Sequence, residues 1–361
     1  MQMRNLRVVP QSATPGSAGS RGDAAANSPT QRAAYFAQTT LRPGADPRFT
    51  GAVSLFDPRA AGYQDPILVT SNGSSGSKLK IAVATGLHEV IGMDLAANTS
   101  NLLLSHGAEP LSFHYHHACG SSDPAIADRI LLGLAEGCRQ SGAALAGGRT
   151  VEMPGMFEDG EYDLSGHCSG MVERIGVLPR FDCAEGDVLL GLASSGPHAH
   201  GFGLIRRVLS AEGINYSDTA PFAPTMTVGQ ALMQPTRAYA PVVGAVLRQT
   251  PAIKAVAPVT DGGLLAGLTR MLPPALAARV DLTSWRMPPI FQWLRRTGEL
   301  PDADLVRSLN CGLGMVLVID KLRTVSALKV LRDLGEKPLA IGTLVNRSGG
   351  DPVRLSGMLS A

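Results

Sequence analysis

The sequence carries little charge and no long apolar run. Asp, Glu, Lys and Arg together make up 17% of its 361 residues, and the formal net charge is +2. No segment concentrates Lys and Arg as proteins that bind nucleic acids or membrane surfaces usually do. No apolar run is long enough to span a bilayer, and the N-terminus has no apolar signal core. We therefore expect a cytoplasmic protein that binds neither nucleic acid nor membrane.

Closely spaced cysteines are also missing. The sequence has five cysteines and no CxxC pair; they are Cys119, Cys138, Cys168, Cys183 and Cys311. In a chain of this length, such isolated cysteines are typical of reduced thiols in a reducing compartment. The pattern argues against a disulfide framework.

The composition is that of a folded chain with a distinct N-terminus. Hydrophobic residues make up 44% of the sequence, and its length suggests two domains. Residues 1–42 contain Arg, Ser, Ala, Gly, Gln and Pro with Asp23 as the single acid, so a disordered tail is predicted. An organelle transit peptide has a similar composition. We expect an N-terminal domain over residues 43–175 and a C-terminal domain over residues 176–350.

Short apolar runs alternate with segments of helical period from residue 66 onward, which is typical of an α/β or α+β fold. The predicted strands cover residues 67–70, 80–84, 111–119, 166–175, 188–192, 253–259, 314–319 and 339–344. The predicted helices cover residues 93–106, 123–141, 263–271 and 322–334, and another begins near residue 202. Asp123 and Pro124 form an N-cap and first-turn pair for the second helix.

A loop rich in hydrogen-bond donors occupies residues 71–78, which read Ser-Asn-Gly-Ser-Ser-Gly-Ser-Lys. Such a flexible loop can wrap backbone N–H groups around phosphate oxygens, and its final lysine can pair with phosphate. It contains no carboxylate, although a magnesium nucleotide site normally needs at least one Asp or Glu. The loop therefore indicates phosphate binding without indicating how a metal would be held.

Several separate motifs follow one another along the sequence. Residues 147–156 read Gly-Gly-Arg-Thr-Val-Glu-Met-Pro-Gly-Met, residues 194–198 Ser-Ser-Gly-Pro-His, residues 235–239 Pro-Thr-Arg-Ala-Tyr and residues 310–315 Asn-Cys-Gly-Leu-Gly-Met. Together with residues 91–95 and 107–111, they closely resemble the phosphoribosylformylglycinamidine cyclo-ligase (AIR synthetase, PurM-like) family. The sequence is thus identified as a divergent member of that family.

The resemblance implies a fold, a reaction and partners. The expected fold is a two-domain PurM-like α/β (α+β) architecture whose N-terminal domain forms a barrel with that of a partner in a homodimer. The implied reaction uses ATP and Mg²⁺ to activate an amide oxygen, after which an amine closes an imidazole ring on a formylglycinamidine ribotide or a related substrate. Activation is needed because an amide oxygen is a very poor leaving group.

The resemblance also assigns binding residues, although it assigns none to catalysis itself. The implied nucleotide-binding residues are Ser77, Lys78, Asp94, Asn101, Gly147 and Gly148. The implied substrate-binding residues are Glu152, Met153, Ser195, Gly196, His198 and Thr260. Asp94 has the alternative role of holding a strand-to-helix junction, and Glu152 that of capping the turn that follows it.

At four positions this chain lacks an acid that the family has. Where the family has acids, this chain has Gly73, Leu102, Tyr115 and Arg149. Losing several acids leaves triphosphate repulsion without a divalent ion to offset it, which argues against ordinary magnesium-dependent turnover. Three functions stay open: an ATP-dependent cyclo-ligase, a paralogue that binds a ribotide or an active partner subunit without turnover, and a repurposed, metal-containing enzyme of specialised metabolism.

The histidines suggest a metal as a further alternative. His114 and His116 alternate onto one face of a predicted strand, while Tyr115 and His117 point to the other face. Two imidazoles at this spacing can bind zinc or another transition metal. The candidates for completing the ligand set are Cys119, His106, His167 and His198. The alternative is a polar pocket in which the histidines hydrogen-bond without a metal.

Overall fold

The computed structural model describes residues 28–360, which form two α/β halves, each built on its own sheet. The first sheet has the order β1-β4-β2-β3. Its strands are β1 (Pro66–Ser74), β2 (Glu109–Cys119), β3 (Ala144–Glu152) and β4 (Tyr162–Glu173). Only the β2–β3 pair is parallel, and β4 lies antiparallel between β1 and β2. A mixed two-domain α/β fold is therefore confirmed.

Helices cover one face of the first sheet. The helices of this half are α1 (Pro29–Ala37), α2 (Leu79–Thr85), α3 (His88–Leu103) and α4 (Pro124–Ser141). α3 packs against α4 and lies on β1 and β4. The side chain of Asp123 accepts a hydrogen bond from the N–H of Ala125 at the start of α4, so the predicted cap is confirmed. The opposite face is open, and the sheet does not close within a single chain.

The second half is built on a six-stranded sheet of order β12-β9-β11-β5-β10-β8, accompanied by a two-stranded β6-β7 ribbon. Its strands are β5 (Val188–Ala193), β6 (Thr219–Ala220), β7 (Ala223–Thr227), β8 (Ile253–Pro258), β9 (Leu276–Asp281), β10 (Leu313–Ile319), β11 (Leu339–Asn346) and β12 (Val353–Ser356). Its helices are α5 (Phe202–Ala211), α6 (Val228–Leu232), α7 (Ala240–Gln249), α8 (Gly263–Met271), α9 (Pro289–Thr297), α10 (Asp302–Ser308) and α11 (Thr324–Asp333). β8 and β10 are buried along their whole length, which explains their nearly continuous apolar sequences.

One predicted strand is wrong. Residues 80–84 belong to helix α2, which ends at Gly86 with a φ of 71°. A short apolar run fits either a buried strand or one face of a helix, and here Ile81 and Ala82 are buried on the helical side facing the core. A left-handed glycine is a common way for a helix to end. Strands β3, β6, β7, β9 and β12 and helices α6, α7, α9 and α10 were not predicted at all.

The predicted tail is wrong over the part that the structure describes. Ser28 caps α1 through its side chain, and Pro29 occupies the first turn. The helix packs against α4 and β3 and buries Ala33 and Ala37. Residues 1–27 lie outside the described part of the chain. Within residues 28–360, no helix combines the length and hydrophobicity needed to cross a bilayer.

Thr40 tests whether this N-terminal segment is part of the folded domain. Its buried Oγ1 accepts a hydrogen bond of 2.8 Å from the N–H of Leu145, at the start of β3. We expect Thr40→Val to destabilise the protein by about 1–3 kcal/mol, because the buried N–H loses its acceptor. Denaturant unfolding measures this change. Thr39→Val is the matched control, since Thr39 is exposed and bonds only the carbonyl of Phe36; equal effects of the two changes would contradict the interpretation.

Candidate functional site

Lys78 lies inside the molecule at the junction of the two halves. Its side chain is fully buried, and its Nζ lies 2.8 Å from Oδ2 of Asp94. The ammonium also donates to the carbonyls of His198 and Gln234, at 3.0 Å and 2.9 Å. Burial lowers the pKa of Lys78, while the Asp94 carboxylate opposes that shift. The lysine expected to pair with phosphate thus has its donors directed at Asp94 and at two carbonyls of the second half.

Helix α3 holds the segment Thr236–Tyr239 with two buried side chains. Oδ1 of Asp94 accepts from the N–H of Thr236 at 2.6 Å. Asn101 accepts from the N–H of Tyr239 at 2.9 Å and donates to the carbonyl of Arg237 at 2.8 Å. The predicted strand-to-helix junction at Asp94 is wrong, because Asp94 lies in the middle of α3. The nucleotide-binding roles of Asp94 and Asn101 stay predictions, and the structure shows both side chains occupied with backbone groups.

The turn at residues 194–198 is held in place from several sides. Asn310 donates to the carbonyl of Gly196 at 2.8 Å and accepts from the hydroxyl of Ser194. Nε2 of His198 accepts from the N–H of Ser195 at 3.2 Å. Burial, followed by the nearby charge of Lys78, lowers the pKa of His198 to about 3. The imidazole is therefore neutral and serves as an acceptor within the turn.

A cavity of about 310 Å³ adjoins this turn. Its walls combine the turn with mainly apolar side chains; they include Ser195, Gly196, Phe222, Met226, Gln234 and Ile290. A Cβ placed on Gly196 would meet no atom within 4 Å, so the backbone of the turn faces open space. The arrangement can take a polar group at the turn and an apolar or planar group against the wall.

Two of the expected acid positions, Gly73 and Tyr115, lie in one cross-strand row. Gly73 pairs with Gly166, which pairs with Tyr115, which in turn pairs with Gly148. Tyr115 is 6% exposed, and a Cβ on Gly148 would collide with its ring. Burial raises the pKa of Tyr115 to about 12. An aromatic ring packed against glycine backbone thus occupies the place where a carboxylate was expected.

Three of the four positions where acids were expected line two cavities. A groove of about 530 Å³ lies between β1 and the second half, and Leu102, Asn72 and Arg270 are among its lining residues. A cavity of about 540 Å³ lies on the open face of the first sheet and includes Gly73 and Tyr115. Among residues 28–360, no Asp or Glu lines either of them. A divalent ion in these cavities would have no carboxylate ligand from the described part of this chain.

The residues expected to bind the nucleotide do not lie together around one site. Ser77 is exposed in a short turn, Gly76–Lys78, that follows β1, whereas Ser71–Ser74 belong to the strand itself, so the loop predicted there is wrong. Gly147 and Gly148 lie in β3, the edge strand opposite β1. A Cβ on Gly147 would meet His114 and one on Gly148 would meet Tyr115, so packing alone explains both glycines.

The remaining predicted substrate residues are also separated. Glu152 ends β3 and accepts from the N–H of Ser122 at 3.1 Å, while the N–H of Met153 donates to the carbonyl of Cys119. Thr260 lies in the second half, where its hydroxyl accepts from Arg270 at 2.8 Å. Their substrate-binding roles stay predictions, because the structure places Glu152 across the first sheet from β1.

His114 and His116 lie on the same face of β2, as predicted, but among residues 28–360 no third metal ligand is grouped with them. His114 and His116 are both partly exposed on the open face, while His117 is buried. Nε2 of His114 lies 2.8 Å from Oγ of Ser54. Among residues 28–360, no three side chains of His, Cys, Asp or Glu are grouped so that they could hold a metal ion. The arrangement fits the alternative of hydrogen-bonding histidines.

Sequence reasoning missed two polar arrangements. His200 lies 2.8 Å from Oδ1 of Asp261 through Nδ1 and 3.1 Å from Oδ1 of Asn98 through Nε2, and so joins the second half to α3. In the first half, Nδ1 of His88 lies 3.0 Å from the hydroxyl of Tyr162. Nothing local in the sequence signals either contact, since the partners are 61 or more residues apart.

Comparison with known proteins agrees with this architecture. Residues 62–172 match the AIR synthase related protein N-terminal domain, and residues 184–353 match the corresponding C-terminal domain. The chain belongs to the AIR synthase-related family. These matches support the PurM-like superfamily and do not single out the cyclo-ligase.

Solved structures of similar fold align with most of this chain, including both halves. Thiamine-monophosphate kinase from Stenotrophomonas maltophilia K279a has a TM-score of 0.66 at 20% identity, over 92% of this chain and 97% of that chain. HypE from E. coli, a hydrogenase maturation protein, has a TM-score of 0.63 at 18% identity, over 90% and 92%. A HypE structure in complex with ATP has a TM-score of 0.63 at 16% identity, over 90% and 92%. At these identities the likeness shows the PurM-like fold alone.

The buried ion pair gives a direct test of the junction between the halves. We expect Asp94→Asn to destabilise the protein by about 3–5 kcal/mol, because it leaves the buried ammonium of Lys78 without a countercharge. The introduced amide keeps an oxygen for the N–H of Thr236, so the loss isolates the charge. Denaturant unfolding measures it. Asp333→Asn, which breaks the exposed pair with Lys329, is the control and should change little; a similar small effect at Asp94 would refute the assignment.

Two buried histidines predict a loss of stability in acid. Burial is the main cause that lowers the pKa of His117 to about 4 and of His198 to about 3. Below the usual histidine value of about 6.5, the unfolded chain binds protons that the folded chain cannot, so stability falls as pH falls toward about 4. We expect His117→Gln to remove part of this slope, by up to about 1.4 kcal/mol per pH unit. Urea unfolding between about pH 7 and about pH 4.5 checks it; an unchanged slope would contradict the expectation.

Proposed function

We propose that this chain binds a phosphorylated small molecule of the ribotide class and does not turn over magnesium ATP by itself. The observation that carries the proposal is the composition of the two cavities described above, which contain hydroxyl, amide, imidazole and guanidinium groups but no carboxylate from residues 28–360. Mg²⁺ prefers oxygen ligands and is usually bound through one or two carboxylates beside the substrate phosphates. Without them, the charge of a triphosphate has no divalent ion to offset it.

The placement of Lys78 supports the same conclusion. A lysine that neutralises phosphate must present its ammonium to the ligand, whereas this one is fully buried against Asp94 and two carbonyls. Releasing it would leave the Asp94 carboxylate buried and unpaired, which is strongly unfavourable. The charge that phosphate-binding loops usually supply is thus committed to the junction between the halves.

The turn at residues 194–198 supports binding of the ribotide. Its backbone is fixed by Asn310 and opens at Gly196 onto the cavity of about 310 Å³. A phosphate ester can accept hydrogen bonds from such a turn without a metal. The wall formed by Phe222 and Met226 then suits the planar or apolar remainder of the ligand.

An ATP-dependent cyclo-ligase is the second candidate. It is favoured by the residues 152–156, which match the cyclo-ligase motif and form an ordered, exposed turn in which the N–H of Met156 donates to the carbonyl of Met153. A HypE protein of the same fold was solved with ATP. In this candidate, acids from a second chain would have to supply the metal site.

Binding and turnover separate the two candidates. Under the first proposal, calorimetry detects formylglycinamidine ribotide binding with EDTA present, and no ADP forms with Mg²⁺, ATP and ribotide. We expect Asn310→Ala to weaken ribotide binding about tenfold or more, because the turn loses hydrogen bonds worth roughly 1.4 kcal/mol. Asn215→Ala, at an exposed position in the same half, is the control.

Magnesium-dependent ADP release that requires the ribotide would overturn the first proposal and favour the cyclo-ligase. Restoring acids gives a second test through Gly73→Asp, Leu102→Asp and Arg149→Glu. A Cβ on Gly73 would lie 3.1 Å from Cγ2 of Thr99, so Thr99→Ala should accompany them. Turnover gained only in the combined variant would support catalysis that was inherited and then lost.

A further inference from the structure

A further cavity, of about 490 Å³, lies where the first sheet meets helix α7 of the second half. β2 begins and β4 ends at this place, and α7 packs there against β2 and α4. Its lining residues are different from those of the three cavities described above. The volume is in the range of small-molecule sites, roughly 300–1,000 Å³. A ligand bound here would contact both halves of the protein.

The wall of this cavity is mainly apolar. Leu104 and Val172 of the first half are buried beside it, and Met171 precedes Val172 on β4. On the opposite side, Ala240 and Leu247 belong to α7. An apolar wall of this kind favours a ligand with a hydrocarbon body, because the body is removed from water on binding.

Arg248 places a cation at this wall. It is an exposed residue in the last turn of α7. A Cβ built on Gly244, one turn earlier, would lie 3.2 Å from Nη1 of Arg248, so the glycine leaves the room that the guanidinium occupies. Gly244 lines the cavity as well. A planar guanidinium that can donate two parallel hydrogen bonds suits a carboxylate.

Two carboxylates also border the cavity, and they differ in their existing partners. Glu109 pairs with Arg42 at 2.8 Å and accepts from the hydroxyl of Tyr63 at 3.1 Å. Glu173 accepts two backbone N–H groups, at 2.7 Å and 2.9 Å. None of the ion pairs among residues 28–360 involves Glu173 or Arg248. One carboxylate and one guanidinium at the cavity are thus left without a countercharge.

A buried hydroxyl at the end of α4 lacks a partner. Ser141 is 2% exposed and lines the cavity, and among residues 28–360 nothing forms a hydrogen bond with its Oγ. A buried polar atom without a partner is unfavourable, and most such atoms in proteins are satisfied. A ligand with a polar group next to the end of α4 would supply the missing hydrogen bond.

We propose that this cavity binds a free α-amino acid with an apolar side chain. Its carboxylate pairs with Arg248, its ammonium with Glu173, and its side chain lies against the apolar wall, with Ser141 as a further polar contact. At neutral pH an α-amino acid carries the two opposite charges that the cavity leaves unmatched. The proposal goes beyond the ribotide function, because it uses no residue of the turn at 194–198. The amino acid is an effector that strengthens the packing of the two halves.

Calorimetry of the full chain with L-leucine, L-methionine and L-phenylalanine tests the proposal. We expect at least one of them to bind, and Arg248→Gln to weaken that binding about tenfold or more, as for the loss of one charge-assisted contact. Arg332→Gln is the matched control, because Arg332 is also an exposed arginine in the last turn of a helix, α11. Circular dichroism confirms that each variant is folded.

Two small changes separate ligand binding from stability. Gly244→Ala improves helix propensity but pushes the guanidinium of Arg248 aside, so affinity falls while the urea midpoint does not. Ser141→Ala removes a hydroxyl that has no partner, so affinity falls severalfold without a loss of stability. Ser210→Ala, at an exposed position near the end of α5, is the control. A serine with a purely structural role would lower the urea midpoint and leave affinity unchanged.

Analogues of the ligand test the two charges separately. 4-Methylpentanoate lacks the ammonium of L-leucine, and 3-methylbutylamine lacks its carboxylate. Each should bind about tenfold more weakly or worse than L-leucine, because one charged group of the cavity stays unmatched. Glycine should bind more weakly too, since it has no side chain to lie against the apolar wall.

Three results would overturn the proposal. None of the three amino acids binds, or Arg248→Gln and Arg332→Gln weaken binding equally, or 4-methylpentanoate binds as tightly as L-leucine. The last result would assign the cavity to an apolar carboxylate and leave Glu173 without a role. Ribotide binding by the same samples, with Asn310→Ala in parallel, shows whether the turn at 194–198 works independently, so either proposal can fail without the other.

Discussion

The buried ion pair between Lys78 and Asp94 is the interaction on which the arrangement of the two halves depends. It joins the segment after β1 to helix α3 and directs the remaining donors of the ammonium at carbonyls of the second half. Either charge left alone in this position would be strongly unfavourable. The pair therefore keeps the two chain segments and the carbonyls of His198 and Gln234 together, and with them the turn at residues 194–198.

Because of this ion pair, several motif residues hold the junction between the halves, and other side chains are left to face the cavities. Lys78, Asp94 and Asn101 match family motifs, yet their polar atoms hold backbone and each other across the junction. Among residues 28–360, the groups that face the two cavities at the expected acid positions are uncharged or basic, and Arg270 is the arginine among them. Proteins of the same fold that are named as kinases, or were solved with ATP, share about a fifth of the sequence or less. Side chains lining the cavities, and not the shared fold, decide the chemistry.

Local patterns predicted much of the fold and little of its long-range contacts. Strand β2 was predicted within two residues of its bounds, and the exposure of His114 and His116 follows from its alternation. The segment at residues 80–84 was misassigned because a short apolar run fits two periods, and only the turn at Gly86 distinguishes them. Helix α1 was missed because its buried residues are alanines, which look like the composition of a tail. Of the candidate site, residues 194–198 were identified from the sequence as one motif.

The sequence by itself determined the class of fold, the family and the loss of acids at four matched positions, because these depend on residue identity and spacing along the chain. Only the tertiary structure decided that Lys78 is unavailable to a ligand, that Tyr115 packs on Gly148, and that His116 lies beside Arg149. Each of these contacts joins residues more than ten positions apart. Strand register and the packing of the two halves set such distances, and neither can be read from neighbouring residues alone.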